Sequence, residues 1–173
     1  MESMITENND LSQTSLTSLY EQDFQLWIEQ TINCLKNDHF NTLDTDHLIE
    51  ELNDLGSSNK AALESNLAIL MAHLLKLTVQ ADAPDTMKNN WYNSVDEHRQ
   101  RIQKQLQKTP SLKSYWDNAL LEAYPDARKL AIKEGKRASL GVRIPAETEY
   151  PLDCPFSQLE ILDENFYGIF QSL

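Results

Sequence analysis

The sequence predicts an all-α protein: an antiparallel helical bundle of about four main helices, with a C-terminal extended strap and a short helix. Three observations carry this. Apolar residues recur three or four apart through most of the chain, the period of a helix with one buried face. Only 4 Gly and 6 Pro occur in 173 residues, too few for a turn-rich β fold. Helix start and stop signals fall close together, and short connections make antiparallel neighbours.

The first helix is expected to begin near Leu19, with Ser18 and Glu21 as a capping box. Phe24, Trp27, Ile28, Thr31, Ile32 and Leu35 form its apolar face, and Asn37, Asp38 and His39 end it. Phe40 and Leu43 then read as a turn that returns apolar side chains to the core. Asp44 or Thr45 is a plausible N-cap for the second helix, with Leu48, Leu52 and Leu55 as its buried stripe. Gly56 is a potential break, but the stripe resumes at Leu63, Leu67, Leu70, Leu74 and Leu77 only about 60° out of phase. One helix over about 45–82, bent near Gly56, is therefore favoured over two.

Ala83 and Pro84 stop that helix, and a third starts near Asp85. Trp91, Val95, His98, Ile102 and Leu106 line its buried face, while Arg99, Arg101, Lys104 and Lys108 occupy others. Thr109 and Pro110 form an N-cap with proline at the first helical position. The fourth helix carries Leu112, Tyr115, Trp116, Ala119, Leu120 and Ala123, is interrupted by Pro125, and continues to Gly135. Beyond Gly141 the chain turns extended. Ser157 and Glu160 form a second capping box, and Leu152, Phe156, Leu159, Ile161, Leu162, Phe166 and Tyr167 are the expected anchors of a docked strap. Residues 1–17 are acidic, lack the basic and apolar blocks of a signal peptide, and read as a disordered arm. Residues 18–173 read as a single helical domain.

Net charge is −12, unevenly spread. Residues 1–87 carry −12, residues 88–143 carry +6 and residues 144–173 carry −6. Such regions can neutralise one another within one molecule. Alternatively, the basic 88–143 region could meet nucleic acid, with Arg128, Lys129, Lys133, Lys136 and Arg137 as the candidate contacts. Aromatic residues are not interleaved with that run, which weakens a single-strand-binding reading. Cys34 and Cys154 are too few and too far apart for a disulfide framework or a zinc motif, which points to reduced thiols in a cytoplasm. The most apolar run, Leu67 to Leu75, is too short to span a bilayer, so no membrane is expected.

No glycine-rich phosphate loop, nucleophile elbow, HExxH or CxxC occurs. No cofactor and no metal is implied, and the balance leans away from an enzyme. The best polar constellation is Asp46, His47, Glu50 and Glu51, with His73 and Arg99 further along the chain. On a helix, His47, Glu50 and Glu51 share a face, the arrangement that could offer nitrogen and carboxylate ligands or an acid–base pair. Against this, a continuous helix separates His47 from His73 by about 39 Å. An acidic first helical turn is also what the helix dipole favours.

Six segments taken together resemble a known family. They are YEQDFQLWIEQ (20–30), FNTLDTDHLIEELNDLG (40–56), ALESNLAILMAHLLKL (62–77), TPSLKSYW (109–116), LEAYPDARKLA (121–131) and CPFSQLEILDENFY (154–167). Their order and spacing are similar to domain of unknown function family 29, uncharacterised helical bacterial proteins frequent in cyanobacteria. Phe156 stands where that pattern has tryptophan, and Pro125 departs from it. The resemblance implies the helical fold and a bacterial cytoplasm, and no active site. The leading functional expectation is a non-enzymatic helical protein-interaction module that binds another protein or itself. The rivals are nucleic-acid binding through 88–143 and a metal-dependent enzyme built on His47 and its carboxylates.

Overall fold

The computed structural model describes residues 15–137 and 143–168, and these are helical throughout with no strand. Six α-helices run in order: α1 (Leu16–Gln22), α2 (Phe24–Lys36), α3 (Thr45–Val79), α4 (Asp85–Lys108), α5 (Trp116–Arg137) and α6 (Gln158–Leu162). Short 3-10 turns sit at Phe40–Thr42, Pro110–Tyr115 and Glu147–Glu149. The chain divides into two compact units, Met1–Gly56 and Ser57–Leu173. Residues 1–14 of the expected arm lie outside the described residues.

In the N-terminal unit the first helix differs from expectation. It begins at Leu16, because the Ser15 side chain accepts from the Ser18 N–H three residues before the expected box. It then ends at Gln22, because Asp23 leaves the helical region and its carboxylate caps α2 through the Leu26 N–H at 3.0 Å. Of the expected α2 face, Trp27 and Thr31 are buried, whereas Phe24, Ile32 and Leu35 stand exposed. Phe40 is exposed as well, and Leu43 only half-buried, so the turn at 40–43 does not fill a core. The stripe expected at the start of α3 is also open: Leu52 is 60% exposed and Leu55 62%, with Leu48 half-buried. The periodicity was real, but no described element closes over it.

α3 runs through Gly56 without interruption. A Cβ at Gly56 would meet nothing within 4 Å, so glycine there serves no close approach. It costs the helix only about 1 kcal/mol relative to alanine. By length and composition α3 is long and apolar enough to cross a membrane, a test that the core helix of a globular protein also passes; half of its apolar window is buried inside the protein.

The second unit holds the core. Leu63, Leu67, Leu70, Leu74 and Leu77 of α3 pack in one cluster with Trp91, Val95 and Ile102 of α4 and Trp116, Ala119 and Ala127 of α5. Thr109 makes no side-chain cap; a 3-10 turn led by Pro110 feeds into α5 instead. Pro125 does not split α5. It is exposed and so is Leu121 one turn earlier, so water can take the carbonyl that proline leaves unbonded.

The C-terminal strap docks as expected in the main. Ser157 and Glu160 form their capping box at the start of α6. Phe156 and Ile161 are buried. Two expected anchors are not: Leu152 is 80% exposed and Leu159 83%. Two residues along a helix are about 200° apart, so with Ile161 inward Leu159 must face water. Upstream of α6, Tyr150 is buried with its hydroxyl against Gly135, where a Cβ would lie 2.6 Å from that oxygen.

Candidate functional site

The six residues of the expected polar cluster divide between the two units. In the N-terminal unit, Asp44 comes just before α3 and is buried. Burial alone would push its carboxyl up, but hydrogen bonds from the His47 ring and backbone and from Thr17 outweigh it and hold the group low. His47 Nδ1 sits 2.7 Å from that carboxylate, which raises the imidazole above its ordinary value. The His47 ring stacks on Tyr20 with centroids 3.8 Å apart. The Tyr20 hydroxyl donates to Glu51 at 2.7 Å, and that bond pushes the phenol up to about 12. Tyr20 also packs edge-on against Phe24 and Trp27. His47 and Glu51 therefore hold α1 by way of Tyr20. Asp46 and Glu50 do not join them; both are exposed.

His73 and Arg99 lie in the second unit, each in its own surroundings. His73 Nδ1 is buried and makes no hydrogen bond among the described residues. Desolvation, assisted by nearby Lys76, lowers its imidazole to about 4, so it is neutral at physiological pH. Lys76, a cation inside the leucine run, is buried beside Glu134 and lies over the Trp91 ring at 5.0 Å. Burial pulls its ammonium down against the pull of Glu134.

Arg99 was expected off the buried face of its helix and in the polar cluster. It is instead buried, because it binds the strap's backbone. Nε donates to the Ile161 carbonyl at 2.8 Å and an Nη to the Phe166 carbonyl at 2.6 Å, with a longer contact of 3.5 Å to the Glu164 carbonyl. Gln103 donates to the Leu162 carbonyl, and the Tyr167 hydroxyl to Asp96. A cleft of about 320 Å³ opens here, lined by Arg99, Gln103, Asp96, Glu164 and Tyr167 among others. Its one buried cation is already committed to carbonyls.

A single sequence model accounts for this succession of elements. The family described as domain of unknown function DUF29 matches residues 19–167, from α1 to the end of the docked strap. The chain belongs to the DUF29 family. Comparison with curated proteins and with solved structures returns no match.

The basic run of this DUF29 chain is turned to internal use in part. Arg128 donates to the carbonyls of Glu147, Tyr150 and Pro151. Lys136 pairs with Glu147 at 2.6 Å, and Arg143 with Glu149 at 2.7 Å. Lys129, Lys133 and Arg137 remain exposed. No group of three or more His, Cys, Asp or Glu placed to hold a metal ion occurs among the described residues. Cys34 and Cys154 are free thiols.

Sequence reasoning missed the feature that most distinguishes this DUF29 chain. Eight of the twelve large apolar side chains that stand exposed among the described residues fall between Phe24 and Leu55. Periodicity identifies an apolar face but not whether anything covers it. The signal that could have found it is the absence of a second apolar run before Leu63 long enough to cover both α2 and the start of α3.

Proposed function

We propose that this protein is a non-enzymatic helical interaction module whose contact surface is the open apolar face of the N-terminal unit. One observation carries the reading: exposed apolar side chains concentrate in the unit with almost no core of its own. Clustered exposed apolar surface, flanked by polar residues, marks a site that another macromolecule covers. The nucleic-acid reading is weaker, since Arg128, Lys136 and Arg143 are held by the chain's own C-terminal segment. Half-exposed free thiols fit a reducing bacterial cytoplasm.

A photo-crosslinking residue placed at Leu52 in living cells tests this. Crosslinks to a polypeptide from position 52, and none from a probe at Lys133, are expected. Crosslinks only to nucleic acid or lipid, or the same protein products from both positions, would refute the reading.

A further inference from the structure

The exposed apolar ridges of α2 and of early α3 have a chemistry as well as a shape. On α2, Phe24, Ile32 and Leu35 fall within about 80° around the helix axis, and exposed Glu29 begins about 60° beyond Ile32. On α3, Ile49 and Leu52 lie about 60° apart, with exposed Asp46 and Glu50 next to Ile49. Apolar ridges at this spacing are what a partner helix packs against. Carboxylates flank both ridges. Residues 15–56 carry nine acidic side chains and a single basic one, Lys36, a net charge of −8.

We infer that the occupant of these ridges is a basic amphipathic helix of another protein, seated by apolar side chains three or four apart and flanked by lysines or arginines. The inference rests on the interaction reading above and adds the partner's chemistry. Charge complementarity decides among the occupants. Nucleic acid and anionic lipid surfaces would be repelled by a unit whose net charge is −8. A second copy docked unit against unit would bring −8 to meet −8, a like-charge juxtaposition that interfaces avoid. The chain's own basic helix, α5, still exposes Lys129, Lys133 and Arg137, but its apolar side is buried in the core, so it has no apolar face left to seat here. Cations to meet Glu29, Asp46 and Glu50 are therefore best supplied from another polypeptide.

The test uses the full chain and three synthetic peptides, read by fluorescence anisotropy. The first carries leucines three and four apart with lysines on its polar face. The second keeps the leucines and replaces lysine with glutamate. The third shuffles the lysine peptide so that no apolar face forms. The lysine peptide should bind at least about ten-fold tighter than either control, and more weakly as salt rises from about 50 to 200 mM. Combining Ile32→Asp with Leu52→Asp should remove that binding without lowering Tm, since neither side chain is buried. Combining Asp46→Lys with Glu50→Lys should shift preference toward the glutamate peptide. Equal binding of the lysine and glutamate peptides would overturn the charge inference and leave the interaction face standing. Equal binding of the shuffled peptide would overturn the apolar seat. Should no peptide bind while the chain forms dimers that Ile32→Asp and Leu52→Asp dissociate, the occupant is a second copy and the inference is wrong. Peptide binding unchanged in that double variant would overturn both the inference and the face.

Discussion

The N-terminal and C-terminal units carry the same kind of apolar periodicity and put it to opposite uses. In residues 57–168 the leucines of α3 meet tryptophans and alanines from α4 and α5, and the stripe disappears from solvent. In residues 15–56 the stripes of α2 and early α3 stay open, and Trp27 is the one large apolar side chain that is buried. The difference teaches that a helical pattern fixes which side of a helix is apolar, while the neighbouring elements decide whether that side becomes core or contact surface.

Truncation gives the largest expected contrast. Leu70→Ala should cost about 2–5 kcal/mol in chemical denaturation, as for a fully buried leucine. Leu52→Ala should change stability by less than about 0.5 kcal/mol. Equal losses at the two positions would erase the contrast between the units.

Histidine titration should separate them by sign. His73 is held at about 4 in the folded state against an ordinary 6.5. Between those values the unfolded chain binds the extra proton, so acidification destabilises the second unit by up to about 3 kcal/mol. His47 behaves in reverse. Its folded value is raised by Asp44, so its stabilising pair is fully present below 6.5 and is lost as pH rises through the folded value. Histidine NMR titration, with His73→Gln and His47→Gln as controls, checks both signs. A normal titration of His73 near 6.5 would show that water reaches it.

A smaller effect probes how the second unit closes. Gly135→Ala should cost about 1–3 kcal/mol, because the new methyl meets the hydroxyl of buried Tyr150. Adding Tyr150→Phe should recover most of that loss, since it removes the clashing oxygen. Failure of the second change to rescue the first would place the strain elsewhere. The smallest effect belongs to the exposed Lys136–Glu147 pair, where Glu147→Gln should lower stability least in chemical denaturation, and less still at high salt.

The sequence made the helical class, the main helices of the second unit, the Ser157 cap and the docking of the strap legible, because each rests on local spacing or on apolar density. Other features depended on partners distant in the chain. The helical spacing set Arg99 apart from the apolar face of its helix; only the strap's carbonyls, more than sixty residues away, account for its burial. Ser18 looked like a cap because its partner Glu21 was in place, yet Ser15 and Asp23 offered oxygens that split the segment differently. Within the candidate site, the helical spacing of His47 and Glu51 was readable, but the Tyr20 ring they share was not. Pro125 shows the reverse case: a strong local rule yielded because the unbonded carbonyl faces water.

Arg99 recognises the strap through main-chain oxygens at Ile161, Glu164 and Phe166. Main-chain oxygens are present whatever the side chain, so this attachment is indifferent to mutation along much of the segment it holds. Replacing Glu164, which is exposed, should leave the strap in place, whereas Arg99→Met should loosen the stretch from Ile161 to Phe166. Tolerance to change is thus unequal across the contact: the strap's side can drift where only its main chain is read, while Arg99 gathers three of its carbonyls at one guanidinium.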